Sequence, residues 1–240
     1  MSWMTMDGQV CDDYGLHVTD YPARAMPRRK GESVAIPGGV NAWVHDGNWG
    51  YHDMALSVGL YLDGEHDAQT ALTYLQPGWR AIVFGDDPAY EIEGTWDAQS
   101  DLETIVRGRK GRRVTVDLIL RPYKTLAVPG DPVVLTAAGT LTHPGTFRAL
   151  PKLVISGSGT VTVTLRGTDA FTLTGMEADK PVTVDSGAMI CTVPDGDGLK
   201  NVSGQMAGDY PVLLPGANLL SYTGTVTKIE VTPRWAWLGR

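Results

Sequence analysis

The sequence predicts a mainly β protein of two domains, the second an antiparallel sandwich, and three observations carry that prediction. With 29 Gly and 15 Pro in 240 residues, it holds more turn formers than a helical chain. Apolar residues recur mostly at the two-residue period of a pleated strand. Composition also changes near residue 125: residues 1–130 hold 8 Thr, 12 basic and 18 acidic residues, whereas residues 131–240 hold 16, 8 and 9. The second half is therefore Thr-rich and charge-poor. A linker over Ala127 to Asp131, containing Pro129-Gly130, sets the expected domains at 1–128 and 129–240.

In the first half the clearest strand runs from Met54 to Leu62, where Met54, Leu56, Val58, Leu60 and Leu62 share one face. Ala68, Ala71, Leu72 and Leu75 follow at helical spacing, with Glu65 and Asp67 in the first turn and Pro77-Gly78 as the stop. This is the one helix expected. Ala81 to Phe84 reads as a short strand, and Leu102 to Val106 with Val114 to Arg121 as a hairpin. In the second half Val161, Val163 and Leu165 alternate with Thr, giving a half-buried strand with a β-branched polar wet face. Short runs follow at Phe171 to Leu173, Val182 to Val184, Ala188 to Val193, Leu219 to Tyr222 and Thr225 to Thr232. Their spacing is that of an antiparallel sandwich or jelly roll.

Charge and hydropathy exclude several classes. A hydrophobic content of 42% with 20% charged residues is enough to build a core, unlike a disordered chain. A net charge of −7 and a pI near 5.2 argue against a protein whose affinity comes from neutralising phosphates. No stretch approaches the ~20 apolar residues of a membrane span, and the start of the chain lacks the basic-then-apolar order of a signal peptide. A soluble protein that does not follow the usual secretory route is expected. Cys11 and Cys191 are expected as free thiols.

No catalytic set emerges. The chain lacks a nucleophile elbow and a phosphate-binding loop, and its five His stand outside any recognised catalytic context. No enzymatic activity and no cofactor or metal is expected. His45-Asp46 and His52-Asp53 could bring two imidazoles and two carboxylates to one ion. The intervening Gly47-Asn48-Trp49-Gly50 reads as a turn, however, and these are ordinary loop residues. Asp195-Gly196-Asp197-Gly198 has the start of a calcium loop but Met206 at the twelfth position, so a tight turn is expected. One segment stands out from the acidic background: Arg107, Arg109, Lys110, Arg112 and Arg113 crowd the tip of the expected hairpin. As a functional surface it would contact an acidic patch on a neighbouring subunit, or nucleic acid passing nearby, and set orientation.

Three blocks in the second half carry a resemblance. They are Gly145 with Ala149-Leu150-Pro151-Lys152-Leu153-Val154-Ile155-Ser156-Gly157-Ser158-Gly159, then Tyr210-Pro211-Val212-Leu213-Leu214-Pro215-Gly216-Ala217-Asn218, then Pro233-Arg234-Trp235. Their order and spacing resemble the distal tail proteins of long-tailed, non-contractile bacteriophages. The first half is similar too, through Tyr14-Gly15-Leu16, Pro37-Gly38-Gly39, Gly50-Tyr51-His52-Asp53 and Phe84-Gly85-Asp86-Asp87-Pro88. Gly39-Val40-Asn41 stands where the family often carries Arg-Asp-Gly.

The resemblance implies a structural virion protein, with an N-terminal tail-tube-like sandwich bearing one helix and a C-terminal galectin-like sandwich. It implies a homohexameric ring at the tail tip, a baseplate hub joining the tail tube protein to the tail-tip apparatus. The tape-measure protein is a further expected partner, with DNA passing through the lumen unbound and no membrane insertion. Assembly would take place in the host cytoplasm and the product would reside in the virion. Under this reading Arg107, Arg109, Lys110, Arg112 and Arg113 form the candidate subunit-interface loop. The alternative function is a carbohydrate-binding module that helps the virion adhere to its host.

Overall fold

The computed structural model describes residues 3–19, 22–34, 43–64, 68–96, 103–104 and 111–239. The protein is mainly β, with one α-helix, Ala68–Tyr74, among the described residues. By internal contacts the chain divides into two units, Met1–Ala127 with Leu238–Arg240, and Val128–Trp237.

In the first unit the Met54–Leu62 strand forms where alternation predicts it, with buried and outward residues alternating along its length. It pairs antiparallel with Arg112–Leu126 over nine residues, from Arg112 opposite Leu62 to Leu120 opposite Met54. Register here is enforced by the pattern, since a one-residue slip would turn Leu56, Val58, Leu60, Val116, Leu118 and Leu120 to water. Each fully buried Leu contributes on the order of 2 kcal/mol. On its other side Arg112–Leu126 pairs with Tyr90–Trp96, with a bulge between Leu120 and Lys124. Tyr90–Trp96 pairs in turn with Arg80–Phe84, which pairs with Met4–Met6. The helix packs Ala71 and Tyr74 into this core. The Tyr74 phenol is buried and reaches Gln9 O at 3.4 Å, and burial drives its pKa above the ordinary phenol range. Glu65 and Asp67 lie outside the described residues. The final residues return to this unit, where Gly239 N–H donates to Pro122 O.

Two elements differ from the sequence reading. The stretch read as a turn at Gly47 to Gly50 lies inside a continuous strand, Trp43–Tyr51, paired with Arg29–Val34. The register passes from Gly31 opposite Asp46 to Arg29 opposite Tyr51, so Gly47 to Gly50 are carried as an irregularity between paired residues. In the second unit the runs at Leu219 and Thr225 are one strand, Gly216–Thr232.

That strand and Lys152–Leu165 form the spine of the second unit. Lys152–Leu165 pairs with Val182–Asp185 through its first half and with Asp169–Met176 through its second. Its register against Gly216–Thr232 shifts twice, at Ser156/Gly157 and Ser158/Thr162. The bend is built by two glycines facing each other's strand. A Cβ on Gly157 would lie 2.3 Å from Thr225 O, and one on Gly224, at φ +98°, would lie 2.3 Å from Thr160 O. Such paired bulges let a long strand curl, as the strands of a sandwich do at its corners. Leu153, Ile155, Val161, Val163, Leu165, Ile229 and Val231 are buried along this spine.

Candidate subunit interface

Of the five basic residues singled out by sequence, the structure places two. Arg112 and Arg113 open the Arg112–Leu126 strand, both exposed, with Arg112 opposite Leu62 and Thr104 and Arg113 opposite Tyr61 and Glu103. The expected hairpin is therefore present as the Glu103–Thr104 pairing. Arg107, Arg109 and Lys110 lie outside the described residues.

At the far end of the same strand lies a cleft of about 170 Å³ that sequence reasoning missed. It is lined by Asp7, Trp79, Arg80, Ala81, Glu91, Glu93, Tyr123 and Thr125. Strand pairing assembles it: Ala81 stands opposite Glu93, and Glu91 opposite Thr125. Asp7 is fastened to the same edge, donating N–H to Ala81 O at 2.9 Å and accepting Ala81 N–H on Oδ1 at 3.0 Å. Arg80 faces Asp7 at 3.7 Å, and Arg121 faces both Glu93 and Asp53 at 3.7 Å. The Arg121 guanidinium also lies 3.7 Å over the Trp79 ring, and Trp79 remains 46% exposed. Glu91 accepts from the Thr125 hydroxyl. Burial lifts its carboxyl above the usual value, with Glu93 and Asp7 adding to the rise and the Thr125 hydrogen bond opposing it.

The remaining candidates resolve into structure. His52 and Asp53 are exposed, and Asp53 serves Arg121; the side chains of His45 and Asp46 lie outside the description. No group of three His, Cys, Asp or Glu residues is placed to hold a metal among the described residues. Asp195 and Gly198 close the hairpin between Ile190–Asp195 and Gly198–Asn201, with Gly196 at φ +58°. Both cysteines are free and buried. Of the aromatic residues of the second unit, Phe147 and Phe171 are buried and Tyr210, Tyr222, Trp235 and Trp237 half-buried.

The three sequence blocks knit the second unit together. From the first, Ala149 exchanges both backbone hydrogen bonds with Leu213 of the second, at 2.8 and 2.9 Å. Asn218 ends the second block fully buried. Its side chain accepts from Leu214 N–H and Arg166 and donates to Leu214 O, Gly216 O and Leu141 O. In the third block Arg234 forks onto Asp185 at 2.7 and 2.8 Å. Burial alone would raise the Asp185 carboxyl, but Arg234 and the N–H groups of Ala188 and Gly187 hold it below its usual value.

Trp235 stacks on His143 with centroids 4.7 Å apart. The His143 ring is 2% exposed, and its Nδ1 accepts Gly145 N–H at 2.8 Å. A proton on Nδ1 would abolish that bond and bury a cation. Burial accordingly lowers the His143 pKa from 6.5, with a Phe147 backbone contact opposing the shift. The unfolded chain then binds the proton more readily than the folded one, so this contribution to stability is complete above about pH 6.5 and is lost as pH falls below it. Urea midpoints measured from pH 7.5 to 5 are expected to decline more steeply in the wild type than in His143→Gln, which keeps an acceptor but cannot titrate. Parallel slopes would contradict the assignment.

No family model matches the chain, and no curated protein matches it in sequence. Solved structures do. The Dit protein (gp 19.1) of phage SPP1, described as a paradigm of the hub adsorption apparatus in phages infecting Gram-positive bacteria, superposes with a TM-score of 0.72. The two are 16% identical, over 98% of this chain and 99% of that one. The chain has the fold of a phage tail hub protein. A second likeness, to a chain of the phage p2 baseplate in its activated conformation with Sr, has a TM-score of 0.53 and 7% identity over 92% and 91% of the two chains. The hub fold thus extends across both units and includes the strand that carries the basic end and the acidic cleft.

Proposed function

We propose that this protein is a structural hub at the distal end of a phage tail, a homohexameric ring joining the tail tube to the tail-tip, receptor-binding apparatus. The observation that carries the reading is the likeness to SPP1 Dit over 98% of the chain. The first unit is the ring-forming, tail-tube-like part and the second a galectin-like sandwich. The partners are the tail tube protein, a tail-tip protein and the tape-measure protein, in a virion component assembled in the host cytoplasm. The protein works by shape and repeated adhesion and catalyses no reaction. The carbohydrate-module reading draws less support, because two of the six aromatic rings of the second unit are buried and the other four half-buried.

A closed ring needs two different, complementary patches on every copy, and Arg112 and Arg113 belong to one of them. The purified protein should have six times the 25.8 kDa mass of one chain, or a multiple of that when rings stack. A particle that stays a single copy at high concentration would refute the hub. Arg112→Glu combined with Arg113→Glu is expected to lower the ring fraction on the order of tenfold or more, with an unchanged circular dichroism spectrum. A normal ring in that variant would remove this strand end from the interface.

A further inference from the structure

The Arg112–Leu126 strand carries opposite charge at its two ends. Arg112 and Arg113 stand exposed at the start, and the cleft of Glu91, Glu93 and Asp7 lies beside Tyr123 and Thr125 at the finish. From Arg113 to Thr125 the chain advances roughly 40 Å at about 3.3 Å per residue. The two patches of one copy therefore cannot meet. We propose that the cleft is the receptor for Arg113 of a second copy of this chain, the contact repeating head to tail. This rests on the ring reading and names the acceptor for its basic patch.

The cleft suits an arginine. Asp7 and Glu93 already have Arg80 and Arg121 beside them, whereas the partner of Glu91 among the described residues is the Thr125 hydroxyl. Glu91 is thus the carboxylate with unspent capacity, and a guanidinium fork fits a carboxylate better than any other side-chain cation does. Trp79, 46% exposed at the rim, offers a ring face of the kind that stacks a guanidinium, as it does for Arg121. Arg and Trp are also among the residue types enriched at interface hot spots. Because heterologous contacts close into rings only when donor and acceptor lie on different parts of the surface, the separation along one strand is the required arrangement.

Two experiments on the full chain test the contact. Glu91→Cys together with Arg113→Cys places the thiols too far apart to join within one chain, since a disulfide needs Cα atoms within about 7 Å. The native Cys11 and Cys191 are buried and do not compete. Oxidation is expected to give a covalent ladder reaching six chains, against no more than paired chains for either single-cysteine variant. In the charge exchange, Glu91→Arg should weaken assembly on the order of tenfold or more, and adding Arg113→Glu should restore it. Should Glu91→Arg misfold, Glu91→Gln should weaken assembly more mildly. Six-copy particles that form no ladder, or that assemble normally with Glu91→Arg or Glu91→Gln, would overturn the receptor and leave the ring standing. A wild type that never assembles would overturn the ring reading, and this contact with it.

Discussion

Gly224→Ala is expected to destabilise the second unit on the order of 3–4 kcal/mol, enough to unfold it at temperatures where the wild type is intact. Two effects add. A residue with a Cβ at φ +98° carries backbone strain of order 1–3 kcal/mol. The new Cβ would also lie 2.3 Å from Thr160 O, a backbone atom in the centre of the neighbouring strand. A flexible side chain could move aside at little cost, but this carbonyl can retreat only if Gly216–Thr232 and Lys152–Leu165 separate where both bulge. That separation would loosen Val161, Val163 and Ile229, all fully buried. Gly204→Ala is the control, for its Cβ would meet nothing within 4 Å, and such surface changes stay within about 0.5 kcal/mol. Calorimetric melting reads both variants, and a Gly224→Ala protein melting with the wild type would show that the bend tolerates a side chain.

Strand alternation and the bend differ in how visibly they are written. Met54 to Leu62 is legible because five apolar residues fall on one face without interruption. Tyr90–Trp96 is harder to read, since Tyr90, Ile92 and Trp96 alternate with Glu91, Glu93 and Thr95 but Gly94 leaves a gap in the apolar face. Gly157 and Gly224 bring no side chain to mark a strand, although each lies within one and faces the other strand's carbonyl.

The same contrast separates the two ends of the candidate interface. Arg112 and Arg113 belong to a run of cations within seven positions, so the eye finds them. The opposing carboxylates sit at positions 7, 91 and 93, in a chain with 27 acidic residues, and nothing local marks them. They meet because Arg80–Phe84 lies between Met4–Met6 and Tyr90–Trp96. One faint signal exists, the Glu91-Ile92-Glu93 alternation that sends two acids to one face, but it gains meaning only once Trp79 and Asp7 are placed beside it.

Asn218→Leu is expected to cost the second unit on the order of 3 kcal/mol, although leucine is apolar, close in volume and enters a fully buried site. Hydrophobicity is the wrong measure here. The Asn218 carboxamide satisfies both a donor, Leu214 N–H at 2.9 Å, and acceptors, Leu214 O at 2.8 Å and Gly216 O at 3.0 Å. It also accepts from Arg166 at 3.2 Å, beside that guanidinium's bond to Val212 O. Leucine would take this partner from Leu141 O, which is buried, and from the part-buried groups of Leu214, Gly216 and Arg166, and a neutral group orphaned away from water costs about 1–3 kcal/mol. The side chain therefore acts as a splint for Leu214 and Pro215, which lie between the Leu213 bridge to Ala149 and the ladder that begins at Gly216. Asn218→Asp separates the roles: it keeps the acceptor for Leu214 N–H and strengthens the bond to Arg166, but loses both donors and sets a carboxylate against carbonyl oxygens. It should fall between wild type and Asn218→Leu in urea midpoint. If Asn218→Leu unfolds at the wild-type midpoint, the segment is held by its flanking strands, and the second block of the sequence resemblance owes its character to something other than this amide.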